Sequence, residues 1–228
     1  MFKNFIQVAG VIDFEEAEML MSENVMFLGF PLRLPVNKED LSELQAAEII
    51  SKINHPFHSV LITYLNNASE IVNFCEKMNS NIIQLHGEIT VEELINVKQL
   101  EPSLTIIKSL VIGEQNNERL FEKMQQMDEY VDAFITDTFN PKTGASGATG
   151  LTHDWNISKR ICELSGKPVI LAGGMNPKNV YEAIKFVKPS GVDVHTGVEN
   201  SSGRKSRELV KKFMSESKKA FMELNSIN

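Results

Sequence analysis

Short apolar runs recur along the chain at near-regular intervals: "NFIQVAG", "NVMFLGF", "HSVLITYL", "NIIQLHG", "LTIIKSLVI", "VDAFITDT", "KPVILAGG" and "GVDVHTGV". Each is bounded by turn formers, the pattern of strands buried on both faces of a parallel sheet. Between them lie longer segments with helical periodicity, among them "DFEEAEMLM", "KEDLSELQAAEIISKI", "ASEIVNFCEKM", "NERLFEKMQQM" and "NPKNVYEAIKFV". Several open on capping residues: Asp13, Thr90 with Glu93 three positions later, and Asn176 with Pro177 at the first helical position. Eight strands, each followed by a helix and with no linker between them, predict one domain over residues 1–228, a single (β/α)8 TIM barrel. The competing arrangement, an open doubly wound sheet, would carry a glycine-rich dinucleotide fingerprint after its first strand, and this chain has none there.

In such a barrel the chemistry sits at the C-terminal ends of the strands and in the loops beyond them. Those ends fall at Ala9-Gly10, Phe30 to Arg33, Tyr64 to Asn66, Gln84 to Gly87, Lys108, Asp137, Gly173-Gly174 and Asp193 to Gly197. "LAGGMNP" leaves the seventh strand on two glycines, and "GVDVHTGVEN" leaves the eighth on Thr196-Gly197. Small residues let backbone N–H groups close on an anion, and barrels commonly bind phosphate after strands seven and eight. The two loops together read as a phosphate cradle, although tight turns alone also use glycine. Asp137 is a carboxylate at the tip of an apolar strand, where partial desolvation raises a pKa toward the range of acid catalysis. Beyond it, "TDTFNPKTGASGATGLTHDW" holds three glycines and no apolar run. It far exceeds an ordinary βα connection and reads as a lid or substrate loop. The first strand differs: Ala9-Gly10 offers no reactive group.

Composition narrows the partners. Lys and Arg number 23 against 30 Asp and Glu, a formal charge of −7, so no basic footprint points to nucleic acid or an anionic membrane. Basic residues gather only in "GRKSRELVKKF" and "SKKAF". There Leu209, Val210, Phe213 and Phe221 recur at helical spacing, predicting the solvated face of a terminal amphipathic helix. No stretch approaches the ~20 apolar residues of a membrane span, and no basic segment with a following apolar core opens the chain. A cytoplasmic protein is expected. Cys75 and Cys162 sit among apolar residues of helical segments, as buried unpaired thiols do. The five histidines lie in different segments, and Pro56 spoils the helical spacing of His55 and His58, so no metal site is expected.

The segments "LAGGMNPKNVYEAI", "GVDVHTGVENSSGRK", "IIQLHGE", "GATGLTHDW" and "FITDT", taken in order, resemble the phosphoribosylanthranilate isomerase family of tryptophan biosynthesis. The likeness spreads over all eight units. It implies an aldose–ketose (Amadori-type) isomerisation of an N-linked phosphoribosyl aminosugar, with no metal or organic cofactor. A general acid protonates the furanose oxygen to open the ring, and a general base then removes the C2 proton. Residue by residue, the resemblance places the acid on Asp137 and the phosphate-binding backbone on Gly173, Gly174, Thr196 and Gly197. Arg33 corresponds loosely to an arginine that faces the anthranilate carboxylate. Asp193 matches an aspartate before the phosphate turn, either touching substrate or bracing the strand. The implied partner is a small phosphorylated sugar, and the protein is expected as a monomer or homodimer.

The departures gather on the first strand. The family reads Lys-Ile-Cys-Gly-Ile-Thr there, and its cysteine is the base; this chain reads Gln7-Val8-Ala9-Gly10-Val11-Ile12. Asp13 stands near a frequent arginine, Ala148 replaces a glycine, and His195-Thr196 replaces a pair of serines. A methyl group takes no proton, and losing a general base costs about 10²–10⁴ in rate. Three readings follow: an isomerase with a substitute base, a paralogue acting on another phosphorylated sugar, and a silent phosphosugar-binding protein. Among substitute bases, His195 has the better intrinsic pKa, and strand alternation puts it on the same side as Asp193. Asp13 lies past the strand, where it would cap the first helix.

Overall fold

A computed structural model describes residues 1–35, 40–113, 116–138 and 152–226. Eight parallel strands close into a barrel in chain order: β1 (Phe5–Ala9), β2 (Phe27–Pro31), β3 (His58–Thr63), β4 (Ile82–Leu85), β5 (Thr105–Ile112), β6 (Ala133–Thr138), β7 (Val169–Leu171) and β8 (Gly191–Val194). Around them pack α1 (Phe14–Ser22), α2 (Glu43–Ile50), α3 (Ala68–Met78), α4 (Val91–Leu100), α5 (Asn117–Met127), α6 (Trp155–Leu164), α7 (Val180–Val187) and α8 (Arg207–Ser226). Every expected strand forms, and each is followed by a helix as the alternation predicts.

Capping and periodicity explain the helices. Asp13 Oδ1 accepts from the Glu16 N–H, and Thr90 Oγ1 from that of Glu93. In α3, Asn67 caps the start, while Ile71, Phe74, Cys75 and Met78 bury one stripe at helical spacing. That stripe faces the outer core between strands and helices. Each fully buried side chain of this size contributes roughly 1.5–3 kcal/mol.

A second, separate cluster fills the barrel interior. It includes Phe5, Ala9, Phe27, Ile82, Ile107, Ala133, Ile135, Ile170 and Ala172, with the Phe5 and Phe27 rings stacked at 4.0 Å. Period-two alternation stacks this interior in layers. Phe5, Ile82 and Ala133 begin their strands; Gln7, Gln84 and Ile135 follow; Ala9, His86 and Asp137 end at the mouth. On β8, Asp193 pairs in register with Gln7.

Three expectations are corrected. Lys108 does not end its strand: β5 runs on to Ile112, in register with β6 as far as Thr138. Pro177 does not begin α7, because Asn176 to Asn179 close a separate turn. Asn176 Oδ1 accepts from the Lys178 N–H and its carbonyl from Asn179, and the helix starts at Val180. Finally, Arg204 and Lys205 precede α8 rather than coat it, and the Lys205 side chain is fully buried.

Candidate active site

Asp137 sits at the mouth on the last inward position of β6, only 7% exposed. Two contacts fix its carboxylate: the Thr138 N–H donates to Oδ1 at 2.7 Å, and His86 Nε2 lies 3.1 Å from Oδ2. The imidazole of His86 is itself held, its ring parallel to Tyr64 at 5.1 Å between centroids. The alternation that brings Ile82 and Gln84 inward also brings His86 inward. Sequence reasoning noted its strand end but gave the residue no role, although the argument used for Asp193 and His195 would have found it.

Below the mouth lies a polar layer. Gln7 Nε2 donates to Gln84 Oε1 at 3.1 Å, bridging β1 to β4 across the interior. Asp193 faces the same layer, with Oδ1 buried and without a partner. Burial, and then the charge of Asp137, push the Asp193 carboxyl up to about 7, against an opposing contact with Gln7.

The far side of the mouth carries the departures. Gly10 follows Ala9 with φ of +79°, and a Cβ there would collide with the His195 imidazole at Nε2. The ring of His195 therefore lies against Gly10, immediately past the end of β1. Its base, the β8–α8 loop, is pinned from behind. Lys205 Nζ donates to Glu199 Oε1 (2.6 Å) and to the His195 carbonyl (3.3 Å), and Glu199 Oε1 lies 3.5 Å from His195 Nε2. Burial, with the Lys205 charge, pushes the His195 imidazole down to about 4, leaving it neutral at pH 7. Glu16 ties this loop to β1, accepting from the Lys205 N–H and the Ile12 N–H. Asp13 adds a bidentate pair with Arg204, at 2.6 and 3.0 Å. The burial of Lys205 left no trace in its sequence surroundings, which read as a solvated charge run.

The glycine loops meet as expected. A Cβ at Gly197 would fall on the Met175 carbonyl oxygen, so only glycine permits the β7–α7 and β8–α8 loops to approach this closely. Gly173 and Gly174 both have positive φ, and Thr196 to Val198 form one 3-10 turn. Gly173 backs onto Thr138 and His153. His153 Nδ1 lies 2.9 Å from Thr138 Oγ1, and burial holds its imidazole down at about 4.

Arg33 lies elsewhere. It adopts φ of +56°, its guanidinium stacks 4.2 Å over Phe74 of α3, and it forms an ion pair with Glu43 of α2 at 2.7 Å. Arg33, with Lys77, holds the Glu43 carboxyl at about 2. The structure thus gathers Ala9, Asp137, Asp193 and His195 at one mouth, with the two glycine loops on its rim, and sets Arg33 between helices. The expected sixth-loop lid, with Ala148, falls on residues 139–151, outside those described. Among the described residues no group of three or more His, Cys, Asp or Glu converges as for a metal, and no helix is long and apolar enough to cross a membrane.

Comparison with known proteins gives the family and the fold. A family model described as N-(5'-phosphoribosyl)anthranilate (PRA) isomerase covers residues 8–216. N-(5'-phosphoribosyl)anthranilate isomerase 2 of Methanosarcina mazei is 34% identical over 225 residues, 98% of each chain. Phosphoribosyl anthranilate isomerase from Thermotoga maritima superposes with a TM-score of 0.80 at 26% identity, over 95% of this chain and 99% of its own. A further isomerase structure, in complex with reduced 1-(o-carboxyphenylamino)-1-deoxyribulose 5-phosphate, shares the fold with a TM-score of 0.77 at 24% identity, over 95% and 99%.

Proposed function

Since the chain belongs to the phosphoribosylanthranilate isomerase family of intramolecular aldose–ketose isomerases, we propose that it rearranges phosphoribosylanthranilate with Asp137 as general acid and His195 as the base. Asp137 delivers a proton to the furanose oxygen, and the ring opens to an imine. His195, neutral at pH 7, then takes the C2 proton, and the resulting enolamine tautomerises to the ketone. Backbone N–H groups of Gly173, Gly174, Thr196 and Gly197 hold the phosphate, and this anchoring supplies much of the acceleration. Asp193 lies below the reacting carbons and contacts the sugar. Arg33 reaches the anthranilate carboxylate only by leaving Glu43. The protein works as a monomer or homodimer, in the cytoplasm.

The observation that carries this reading is the placement of the His195 imidazole against Gly10, the residue that follows Ala9. A base with a pKa near 4 is weak, so turnover is slow; the same observation supports the alternative of a silent phosphosugar-binding protein. The experiment is a turnover assay on freshly prepared phosphoribosylanthranilate with native and Ala9→Cys proteins. Slow native turnover, raised on the order of 10²-fold by the cysteine, supports the isomerase. No turnover in either protein favours the binding protein.

A further inference from the structure

One buried side chain grips His195 at both of its ends. Lys205 Nζ donates to the His195 carbonyl at 3.3 Å and to Glu199 Oε1 at 2.6 Å, and the same Oε1 lies 3.5 Å from His195 Nε2. The Lys205 side chain is fully buried, and that of Glu199 is 19% exposed. The backbone leaves strand geometry at His195, with φ of −118° and ψ of −89°. The ring is therefore oriented by what touches it rather than by strand alternation.

The two ring nitrogens meet different surroundings. The tip of the ring points at Gly10, where a Cβ would meet Nε2 first and the two flanking ring carbons next. Gly10 and the Glu199 carboxylate thus occupy the approach to Nε2. Among the described residues nothing hydrogen-bonds to Nδ1. The charges that act on the ring are Lys205 and Glu199 from its own loop and Asp137 from β6. Glu16 of α1 meets that loop at the Lys205 N–H. A carboxylate beside a ring nitrogen repels its lone pair and attracts its hydrogen, so the neutral tautomer with hydrogen on Nε2 is favoured. The 3.5 Å separation exceeds an ordinary hydrogen bond, and such contacts tighten when substrate binds.

We propose that Glu199, anchored by Lys205, is the positioning residue of His195: its carboxylate keeps the hydrogen on Nε2 and leaves Nδ1 to take the substrate proton. The role of Nδ1 rests on the isomerase reading; the tautomer does not. In that step the C2–H bond breaks, Nδ1 gains the proton, and the electron pair moves into the protonated imine to give the enolamine. The imidazolium so formed lies beside the Glu199 carboxylate, which offsets the Lys205 charge. His195 is restored as the enolamine gains a proton at C1, loses one from its C2 hydroxyl, and becomes the ketone. A catalytic imidazole whose tautomer is fixed by a carboxylate loses rate when that carboxylate becomes an amide.

The test reads the tautomer directly, by long-range 15N–1H correlation on full-length protein carrying 15N-labelled histidine at pH 7. The His195 signal is the one missing from His195→Ala. Native His195 should hold its hydrogen on Nε2 alone. Glu199→Gln lacks the charge but still offers Lys205 an oxygen, and there both tautomers should be populated. Where native protein turns over phosphoribosylanthranilate, Glu199→Gln should lower kcat severalfold and leave KM within twofold. If that variant melts well below native, Glu199→Asp keeps the charge for Lys205, draws it back from the ring, and repeats both readings. A native His195 with hydrogen on Nδ1, or a tautomer unmoved by either substitution, overturns the proposal. A shifted tautomer with kcat unchanged overturns Nδ1 as the base. A shifted tautomer in a protein without turnover supports Glu199 as the group that orients the ring and refutes the isomerase reading alone.

Discussion

The two sides of the barrel mouth are built on opposite plans. On the β6 side, Asp137 is clamped by a backbone N–H and by His86, which is backed by Tyr64. On the β1 side the strand end is stripped to Ala9 and Gly10, and the ionisable group arrives from beyond the neighbouring strand, β8. The first side keeps an acid on its own strand; the second borrows. A borrowed group needs external support, which is why Glu16, Glu199 and Lys205 are buried or half-buried behind it. The difference shows that a strand end without a reactive side chain can still have an ionisable group against it, supplied by the loop after the neighbouring strand.

The largest effect should come from the clamped side. Asp137→Asn keeps the shape and removes the proton, so kcat/KM should fall by about 10²–10⁴, read in the same turnover assay. A residual rate above a tenth of native would mean that ring opening draws its proton from elsewhere, and the contrast between the two sides would lose its acid half.

The polar layer beneath sharpens the comparison through pH. Asp193 has a folded pKa raised to about 7, so between about pH 4 and 7 the folded state holds a proton that the unfolded chain has released. Its contribution is full below the unfolded pKa and is lost as pH rises, by about 4 kcal/mol at most. His195 and His153, held down near 4, do the reverse: their neutral folded forms gain stability as pH climbs from 4 to 6.5. Asp193→Asn removes only the falling component. Its melting temperature should therefore gain more from pH 4 to 7 than that of the native protein. Parallel curves would show that Asp193 is not a desolvated acid.

On the borrowed side, His195→Ala should lower kcat only roughly tenfold, below the usual range of general-base effects, because a base with a pKa near 4 drives proton transfer poorly. KM should change little. An unchanged kcat would return the search for the base to Asp193.

How far these features were legible follows from what makes them. Strand and helix order is written in local periodicity, and every strand formed where its apolar run predicted. Boundaries were less legible where tertiary pairing decides them: β5 extends past Lys108 because β6 continues beside it, and a turn from Asn176 delays α7. Within the site, the inward positions of Asp137 and Asp193 followed from alternation; His195 lies past β8 with a non-extended backbone, so alternation does not place it, and Arg33 sits against α2 and α3. Its positive φ turns it toward Phe74 and Glu43, contacts that no spacing in the sequence encodes. Lys205 was hidden for the same reason, since its burial depends on Glu199 and a loop that returns to β1.

The smallest expected effect tests whether the borrowed side has one base or two. Asp13 is the other unfamiliar carboxylate near the emptied strand end, but both of its oxygens are occupied: Oδ1 caps α1 and pairs with Arg204, and Oδ2 completes the bidentate contact. The Arg204 guanidinium, first among its neighbours, holds the Asp13 carboxyl below its ordinary range, which makes it a still poorer proton acceptor. Asn caps a helix nearly as well as Asp, so Asp13→Asn removes only a half-exposed ion pair, worth less than about 1 kcal/mol. Denaturant unfolding should show that small loss, and kcat should remain within twofold of native. A fall in kcat matching that of His195→Ala, with stability unchanged, would make Asp13 part of the chemistry, and the β1 side would then carry a base of its own.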